Sequence, residues 1–281
     1  MTLPSLRETI RLHGLDARKS FGQHFLLDPG IVARIAALAG DMQGRHVVEI
    51  GPGPGGLTRA LLDTPASAVH AVEIDQRAWP LLDELAAHAD GRLAIVRSDA
   101  LALDCTTLCP SPRKIVANLP YNVGTPLLIG WLRQAASWER MTLMFQLEVA
   151  ERICARPDTG AYGRLGVLAQ FCADCAVVMK VPAGAFSPPP KVESAIVDLV
   201  PKAAQPAPGL LRAMEHVTHL AFGQRRKMLR ASLRPIGGEA LLEKAGIAPT
   251  RRAETLSIDE FATLATLVWT DAATGKSGQT G

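Results

Sequence analysis

The residues best suited to chemistry in this sequence are the tetrapeptide Asn118-Leu119-Pro120-Tyr121, which follows a β-rich apolar run. An amine on an aromatic ring is a poor nucleophile, because its lone pair is delocalised into the ring. The Asn118 side-chain oxygen and the Leu119 backbone carbonyl could accept both amine protons and push the nitrogen toward tetrahedral geometry. Pro120 stiffens the loop, and Tyr121 can stack on a base drawn out of its helix. The alternative is a simple Asn/Pro turn without chemistry.

A glycine-rich loop, EIGPGPGGLT at 49–58, comes directly after one apolar run and opens a helical pattern. Glycines let the backbone approach a ligand closely, and the first amides of a helix can bind an anionic group. Gly51, Gly53 and Gly56 also satisfy GxGxxG, the dinucleotide pattern. The loop therefore predicts a nucleotide-like cofactor, and it leaves NAD, S-adenosylmethionine and a purely structural turn open.

Two acidic residues follow at the ends of the next two apolar runs. Glu73 comes about twenty residues after the glycines, the spacing of an acid that binds ribose hydroxyls. Asp75 is its rival, and either residue could instead cap the following helix. Asp99 could accept hydrogen bonds from an adenine amine, although an aspartate after a strand is often only a turn residue.

The elements that must position these residues alternate regularly. Short β-rich runs separated by helix-like segments occur at 46–50, 68–74, 93–98, 114–118 and 141–146. This alternation predicts βαβ units and a parallel sheet that helices cover on both faces, so the fold class is α/β and Rossmann-like. Two later runs, at 175–181 and 194–200, could add an antiparallel edge.

The proline-rich linker at 201–209 marks a domain boundary, because only helical patterns follow it. We expect a catalytic domain over 1–204 that begins with a helical extension over 1–40, a helical domain over 205–271 and a disordered tail over 272–281. Ser257 and Glu260 have the spacing of a capping box for the last helix.

The composition is that of an ordinary soluble globular protein, with 48% apolar and 20% charged residues. No apolar run is long enough to span a membrane, and the N-terminus lacks a secretory segment, so we expect a cytoplasmic protein. Five cysteines without framework spacing do not indicate disulfides. Cys172 and Cys175 form a lone CxxC, which we interpret as buried apolar side chains, and we expect no metal.

Positive charge is concentrated late in the chain, although the net charge is only +3. Between residues 212 and 234 a single acid, Glu215, faces six bases: Arg212, Arg225, Arg226, Lys227, Arg230 and Arg234. Such a stripe is typical of a nucleic-acid contact, and a solvated helix face is the plainer alternative.

Taken together, the motifs resemble the bacterial small-subunit ribosomal RNA adenine dimethyltransferase family (KsgA/RsmA) from one end of the chain to the other. The segments that carry the resemblance are KSFGQHFLLD (19–28), EIGPGPGGLT, AVEID, SDA, NLPYN, QLEVAERI (146–153), YGRLGVLAQ (162–170), FSPPPKVESAIV (186–197) and AFGQRRKMLRASL (221–233). The resemblance implies a class I methyltransferase sheet followed by a smaller helical domain that binds ribosomal RNA.

The resemblance also implies S-adenosylmethionine as the cofactor. It assigns cofactor contacts to His24, Leu26, Gly51, Glu73, Asp99 and Asn118. Glu73 would bind the ribose hydroxyls and Asp99 the adenine amine. One departure from the family is His24, which stands where Asn is usual; an imidazole can replace one amide hydrogen bond but not both.

On the substrate side, the resemblance implies that Asn118 and Leu119 hold the target amine while Phe186 stacks on the base opposite Tyr121. Further contacts to ribosomal RNA would come from Lys191, Arg225, Arg226 and Lys227. The implied reaction is dimethylation of two adjacent adenosines in the 3′-terminal hairpin of 16S rRNA, within an immature 30S subunit. A monomer that binds neither membrane nor metal is expected.

Three alternatives remain at this stage. A related resistance methylase would act on large-subunit RNA, but the FSPPPKV and QRRKMLR segments are closer to the small-subunit enzymes. A binding protein would use the fold as an assembly checkpoint without chemistry, and the intact NLPY argues against this. An NAD-dependent oxidoreductase fits GxGxxG but leaves NLPY and SPPPK unexplained.

Overall fold

The structure, a computed structural model, describes residues 4–15 and 23–276 and divides the chain into two units. The first unit contains the described residues of 1–150 together with 175–201, and the second contains 151–174 and 202–276. The predicted boundary at 204/205 therefore misplaces 151–174, which packs with the C-terminal helices. The predicted start of the disordered tail is also too early, since the last helix continues to Lys276; residues 277–281 lie outside the described part.

Nine strands occur in the described residues, and seven of them coincide with the predicted runs to within two residues at either end. They are β1 (Phe25–Leu26), β2 (His46–Ile50), β3 (Ala68–Val72), β4 (Leu93–Val96), β5 (Arg113–Asn118), β6 (Arg140–Gln146), β7 (Ala173–Val181), β8 (Phe186–Ser187) and β9 (Ser194–Pro201). Seven of them form one sheet in the order β4-β3-β2-β5-β6-β9-β7. The pairs from β4 to β6 are parallel and β9 runs antiparallel to β6, which confirms the expected parallel sheet with an antiparallel addition.

Helices flank these strands along the first unit and make up the second. They are α1 (Leu6–Leu12), α2 (Pro29–Leu38), α3 (Gly56–Leu62), α4 (Trp79–Ala87), α5 (Gly124–Leu132), α6 (Leu147–Ile153), α7 (Arg164–Cys172), α8 (Pro208–Gly223), α9 (Leu229–Ser232), α10 (Gly238–Lys244) and α11 (Ile258–Lys276). None of the helices in the described residues has the length and apolar character needed to cross a membrane.

The central strand β2 is buried on both faces, as Val47 and Val48 are fully inaccessible to solvent. Strands of a parallel sheet covered on both sides have this continuous apolar character. β2 has β3 on one side and β5 on the other, so the direction in which the chain adds strands reverses there. The carboxyl end of β2 is therefore the topological switch point, where open α/β sheets bind ligands.

The N-terminal extension is not purely helical, because strand β1 lies between α1 and α2. β1 pairs antiparallel with β8, and Leu26 lies opposite Phe186. A two-residue strand has too little alternation to be read from sequence, which explains why the sequence analysis missed it. This pairing joins the segment that carries His24 to the proline-rich segment that follows Phe186.

The second unit has one feature predicted correctly and one predicted wrongly. Ser257 and Glu260 form the expected capping box, with hydrogen bonds of 2.8 and 3.1 Å between each side chain and the other residue's amide. The basic residues 225–227, in contrast, lie in a loop and not in a helix, because α8 ends at Gly223 and α9 begins at Leu229. Glycine is a poor helix former, and Arg225 in the connecting loop donates hydrogen bonds to the carbonyls of Gly160 and Tyr162.

Candidate active site

A cavity lies at the carboxyl ends of β2 to β5, at the switch point of the sheet. Eight residues singled out from the sequence line it: His24, Leu26, Gly51, Glu73, Asp99, Asn118, Leu119 and Tyr121. They come from five separate stretches of the chain, and parallel strands bring such stretches together because their carboxyl ends share one edge. The structure therefore gathers most of the predicted site into one place.

The glycine loop forms one wall of this cavity, and two glycines there have a definite physical requirement. Gly53 has φ of +53°, a left-handed conformation in which its amide faces Glu73. Gly56 starts α3, and a Cβ on it would lie 2.9 Å from the carbonyl oxygen of Leu26. A larger residue at position 56 would push β1 away from the helix, so the glycine permits close packing of the cavity walls.

Glu73, rather than its rival Asp75, is available at the cavity. Glu73 accepts hydrogen bonds from the amides of Gly53 (3.0 Å) and Asp75 (2.7 Å), one on each carboxylate oxygen. Burial raises the pKa of Glu73, although the backbone hydrogen bonds partly offset this. Asp75 is committed to Arg77 (2.6 Å) and Gln23 (2.8 Å); despite burial, these bonds leave its pKa lowered.

Glu49 is a cavity residue that the sequence analysis missed. Its side chain is 1% exposed, and one carboxylate oxygen is buried without a hydrogen-bond partner among the described residues. Burial, with a smaller contribution from the nearby Glu73 charge, raises the pKa of Glu49 to about 8. The signal was present in the sequence, because Glu49 is the one acid within an otherwise apolar strand.

Asp99 lines the cavity and follows the carboxyl end of β4. It is exposed, and one of its oxygens accepts a hydrogen bond from the amide of Leu101 at 2.9 Å. Ile74 and Leu101 also line the cavity, with 52% and 51% of their surface exposed. Because both side chains line the cavity beside Asp99, they could cover the faces of a flat ring whose amine reaches Asp99.

Asn118 and Tyr121 are held at the end of β5 by contacts with two other loops. The Asn118 amide nitrogen donates to the carbonyl of His24 at 3.5 Å, which leaves the Asn118 side-chain oxygen available as an acceptor. The His24 ring stacks on the Tyr121 ring at 5.5 Å between centroids, and its Nδ1 lies 2.8 Å from the Pro188 carbonyl. The Tyr121 hydroxyl lies 2.7 Å from the Ser194 hydroxyl.

Phe186 is not where the sequence analysis expected it. Its side chain is 5% exposed and packs in the apolar core with Leu26 and Val32, and it is not among the residues that line the cavity. Pairing of β8 with β1 brings Phe186 into this cluster. In this conformation the expected stacking of Phe186 on a base is not available, and the aromatic ring beside Tyr121 is His24 instead.

The residues expected to contact RNA lie outside the cavity and belong to different units. Lys191 is exposed in the loop between β8 and β9 of the first unit. Arg226 and Lys227 are exposed in the loop between α8 and α9 of the second unit. Arg225 lies beside them, but its guanidinium is 3.5 Å from Glu254 and bonds to two carbonyls, so it also anchors its own loop.

The cavity is acidic. Glu49, Glu73, Asp75 and Asp99 line it, and none of the described lining residues is Lys or Arg. A ligand with positive charge fits such a lining better than a ligand with negative charge does. The geometry therefore favours a cationic nucleoside cofactor over NAD.

Known proteins are similar to this chain over most of its length. A family model described as ribosomal RNA adenine dimethylase matches residues 14–269. A Gluconobacter oxydans protein named ribosomal RNA small subunit methyltransferase A is 71% identical over 95% of this chain and 88% of that protein.

Two solved structures are similar over most of the chain. A dimethyladenosine transferase from Plasmodium falciparum has 26% identity and a TM-score of 0.74, covering 86% of this chain and 96% of that one. The 23S rRNA methyltransferase ErmE has 31% identity and a TM-score of 0.66, covering 87% and 99%. Both similarities extend over the two units described above.

The buried Glu49 predicts a specific dependence of stability on pH. Its pKa is about 8 in the fold and near 4.5 when unfolded, so the folded state holds an extra proton between these values. The free energy of unfolding should therefore fall as pH rises from about 4.5 to 8, by at most ~1.4 kcal/mol per pH unit from this group. Glu49→Gln removes this contribution.

Chemical denaturation of wild type and Glu49→Gln at pH 5, 6.5, 8 and 9 tests this prediction. The stability of the variant relative to wild type should increase between pH 5 and 8 and level off above pH 8. A difference between the two proteins that stays constant over the whole range would contradict the raised pKa of Glu49.

Proposed function

The chain belongs to the ribosomal RNA adenine dimethylase family, and we propose that it transfers methyl groups from S-adenosylmethionine to adenosine N6 amines of small-subunit ribosomal RNA. More specifically, the targets are two adjacent adenosines in the 3′-terminal hairpin of 16S rRNA in an immature 30S subunit, each methylated twice. The enzyme acts in the cytoplasm as a monomer. The observation that carries the proposal is the position of Asn118 and Tyr121 at the rim of an acidic cavity.

The residues of the cavity fit S-adenosylmethionine, which supplies an electrophilic methyl group on a positively charged sulfur. Glu73, which already accepts hydrogen bonds from the amides of Gly53 and Asp75, would also accept hydrogen bonds from the ribose hydroxyls. Asp99 would accept a hydrogen bond from the adenine amine, and Ile74 and Leu101 would pack against the faces of the ring. Gly51 and the buried, unpartnered Glu49 oxygen remain for the methionine portion.

Asn118 and Leu119 would activate the target amine. The Asn118 oxygen and the Leu119 carbonyl would each accept a hydrogen bond from one amine N–H, which localises the nitrogen lone pair toward the methyl group. No general base is needed for attack, because the departing sulfur is neutral; the methylated nitrogen, which carries the positive charge after the transfer, then releases one proton to water. After one methylation the amine still has one N–H, so one of the two acceptors can hold it for a second transfer.

Tyr121 would receive the target base. Its ring already stacks on His24, and the bond between its hydroxyl and Ser194 restrains the ring. A base taken out of an RNA helix needs such a stacking surface to offset the loss of its neighbours. Since Phe186 is buried in the core and does not line the cavity, the aromatic ring that stacks beside Tyr121 is that of His24.

Contacts to the ribosomal RNA backbone would come from Lys191, Arg226 and Lys227, with Arg225 contributing beside its structural role. All four side chains are exposed and cationic. Phosphates are neutralised by such side chains without reading sequence. The relative at 71% identity, which is named a small subunit methyltransferase, supports the small subunit as the substrate. ErmE, a 23S rRNA methyltransferase at 31% identity, makes the large subunit the alternative to test.

A labelling experiment tests the proposed substrate. The protein is incubated with methyl-labelled S-adenosylmethionine and immature 30S subunits, 50S subunits or DNA, and the modified base is mapped. We expect label in 30S subunits alone, on two adjacent adenosines with two methyl groups each. Label confined to 50S subunits or DNA would contradict the proposal, and tight 30S binding with no label would favour an assembly checkpoint without chemistry.

Asn118→Ala tests the proposed activation of the amine. We expect the turnover rate to fall by ~10²-fold or more, the typical effect of removing one polar group that stabilises a transition state. The Kd for S-adenosylmethionine, measured by calorimetry, should change far less. Gln43→Ala is the matched comparison, because Gln43 is an exposed amide residue outside the cavity and its loss should leave turnover unchanged. Equal turnover in Asn118→Ala and wild type would refute the role.

Charge reversal of Arg226 and Lys227 together tests the proposed RNA contact. The logarithm of the RNA binding constant should fall less steeply with the logarithm of salt concentration, by a slope of about 1.5 to 2 for two lost phosphate contacts. Lys244→Glu combined with Arg252→Glu, two exposed residues of the same unit, makes the same change in net charge and serves as the control. A salt slope equal to wild type would exclude a phosphate role for Arg226 and Lys227.

A further inference from the structure

Two histidines and a cysteine meet at a place that the proposed reaction does not use. His46, His70 and Cys109 each offer one ligand atom, and these atoms all lie within 4.8 Å of one another. His46 Nδ1 is 3.3 Å from His70 Nε2. None of the three residues lines the cofactor cavity. The sequence contains no metal-binding motif at this place, because the three residues lie in separate segments of the chain.

The sheet brings the three residues together. Val48 of β2 lies opposite His70 of β3 in the parallel pairing. His46 is two residues before Val48, so it presents its side chain on the same face as His70. On the other side of β2, His46 pairs with Arg113 at the start of β5. The Arg113 guanidinium donates to the Cys109 carbonyl at 2.9 Å, which fixes the segment before β5 against the sheet.

We propose that His46, His70 and Cys109 form a binding site for a zinc-class divalent cation. Two imidazole nitrogens bound tetrahedrally to zinc at about 2.05 Å lie ~3.3 Å apart, and the observed separation is 3.3 Å. Two imidazoles and one thiolate are a zinc ligand set that leaves a fourth position for water. Hard cations such as Mg²⁺ prefer oxygen ligands and do not suit it.

The surroundings also suit a bound cation. Cys109 is 7% exposed while both histidines are half-buried, so the site is partly shielded from water and still has an approach for the ion. Burial raises the pKa of the Cys109 thiol, and the positive charge of Arg113 offsets part of this increase by favouring the thiolate. A competing arrangement is a plain imidazole–imidazole hydrogen bond beside a buried thiol, and the experiment below separates the two.

Binding at this site would act on stability rather than on chemistry. The ligands link β2, β3 and the segment before β5, and these three strands are adjacent in the sheet. An ion that binds the folded chain and not the unfolded chain raises the midpoint of thermal unfolding. Methyl transfer itself should need no metal.

Titration of metal-free full-length protein with Co²⁺ tests the proposal directly. We expect one tightly bound Co²⁺ per chain, visible d–d bands of tetrahedral cobalt, and a near-ultraviolet band from thiolate bound to cobalt. Zn²⁺ should abolish these bands and raise the Tm by about 5 °C at one hundred times its Kd.

Variants assign the ligands. Cys109→Ser and His46→Ala should each weaken Co²⁺ binding by tenfold or more, and Cys109→Ser should lose the thiolate band. Cys105→Ser is the matched control, since Cys105 is also buried and lies four residues away but outside the group; it should keep both the band and the Zn²⁺ effect on Tm. His46→Ala provides the ligand test should Cys109→Ser not fold. A wild type without a thiolate–cobalt band, or a Cys109→Ser variant with an unchanged band, would overturn the proposal.

Discussion

The parallel pairing of β2 with β3 on one side and β5 on the other is the constraint on which this structure depends. Strands that run in one direction end at one edge, so residues far apart in sequence arrive together without any local signal that they should. The glycine loop, Glu73 and Asn118 meet at the cavity for this reason. The register of the same strands places His46 and His70 together on one face of the sheet.

The features predicted from sequence are those with a strong local signal. Strand β2 was predicted with its observed bounds, because a run of apolar β-branched residues between turn residues has few alternatives. Once the strands are known, a residue directly after a strand must lie at the carboxyl edge. Gly51, Glu73, Asp99 and Asn118 were therefore predictable as neighbours from their positions in the chain alone.

The features that were missed depend on contacts that no local pattern reports. Phe186 is buried because a two-residue strand pairs with another two-residue strand 160 residues earlier in the chain. Arg225 is in a loop because it bonds to carbonyls of a distant segment, and residues 151–174 join the C-terminal helices through long-range packing. Glu49 was overlooked because its raised pKa results from burial, and the degree of burial of one side chain cannot be predicted from the strand pattern alone.

The charge of the cavity ties the fold to the proposed reaction. In the absence of a ligand, burial keeps Glu49 largely protonated at neutral pH. A positively charged group bound beside it would favour the carboxylate, because an opposite charge nearby lowers the pKa of an acid. In the proposed reaction, transfer would remove the positive charge from the cofactor's sulfur, so the carboxylates would hold the product less strongly than the substrate. An acidic cavity without Lys or Arg among its described lining residues therefore favours both the binding of a sulfonium cofactor and the release of its neutral product.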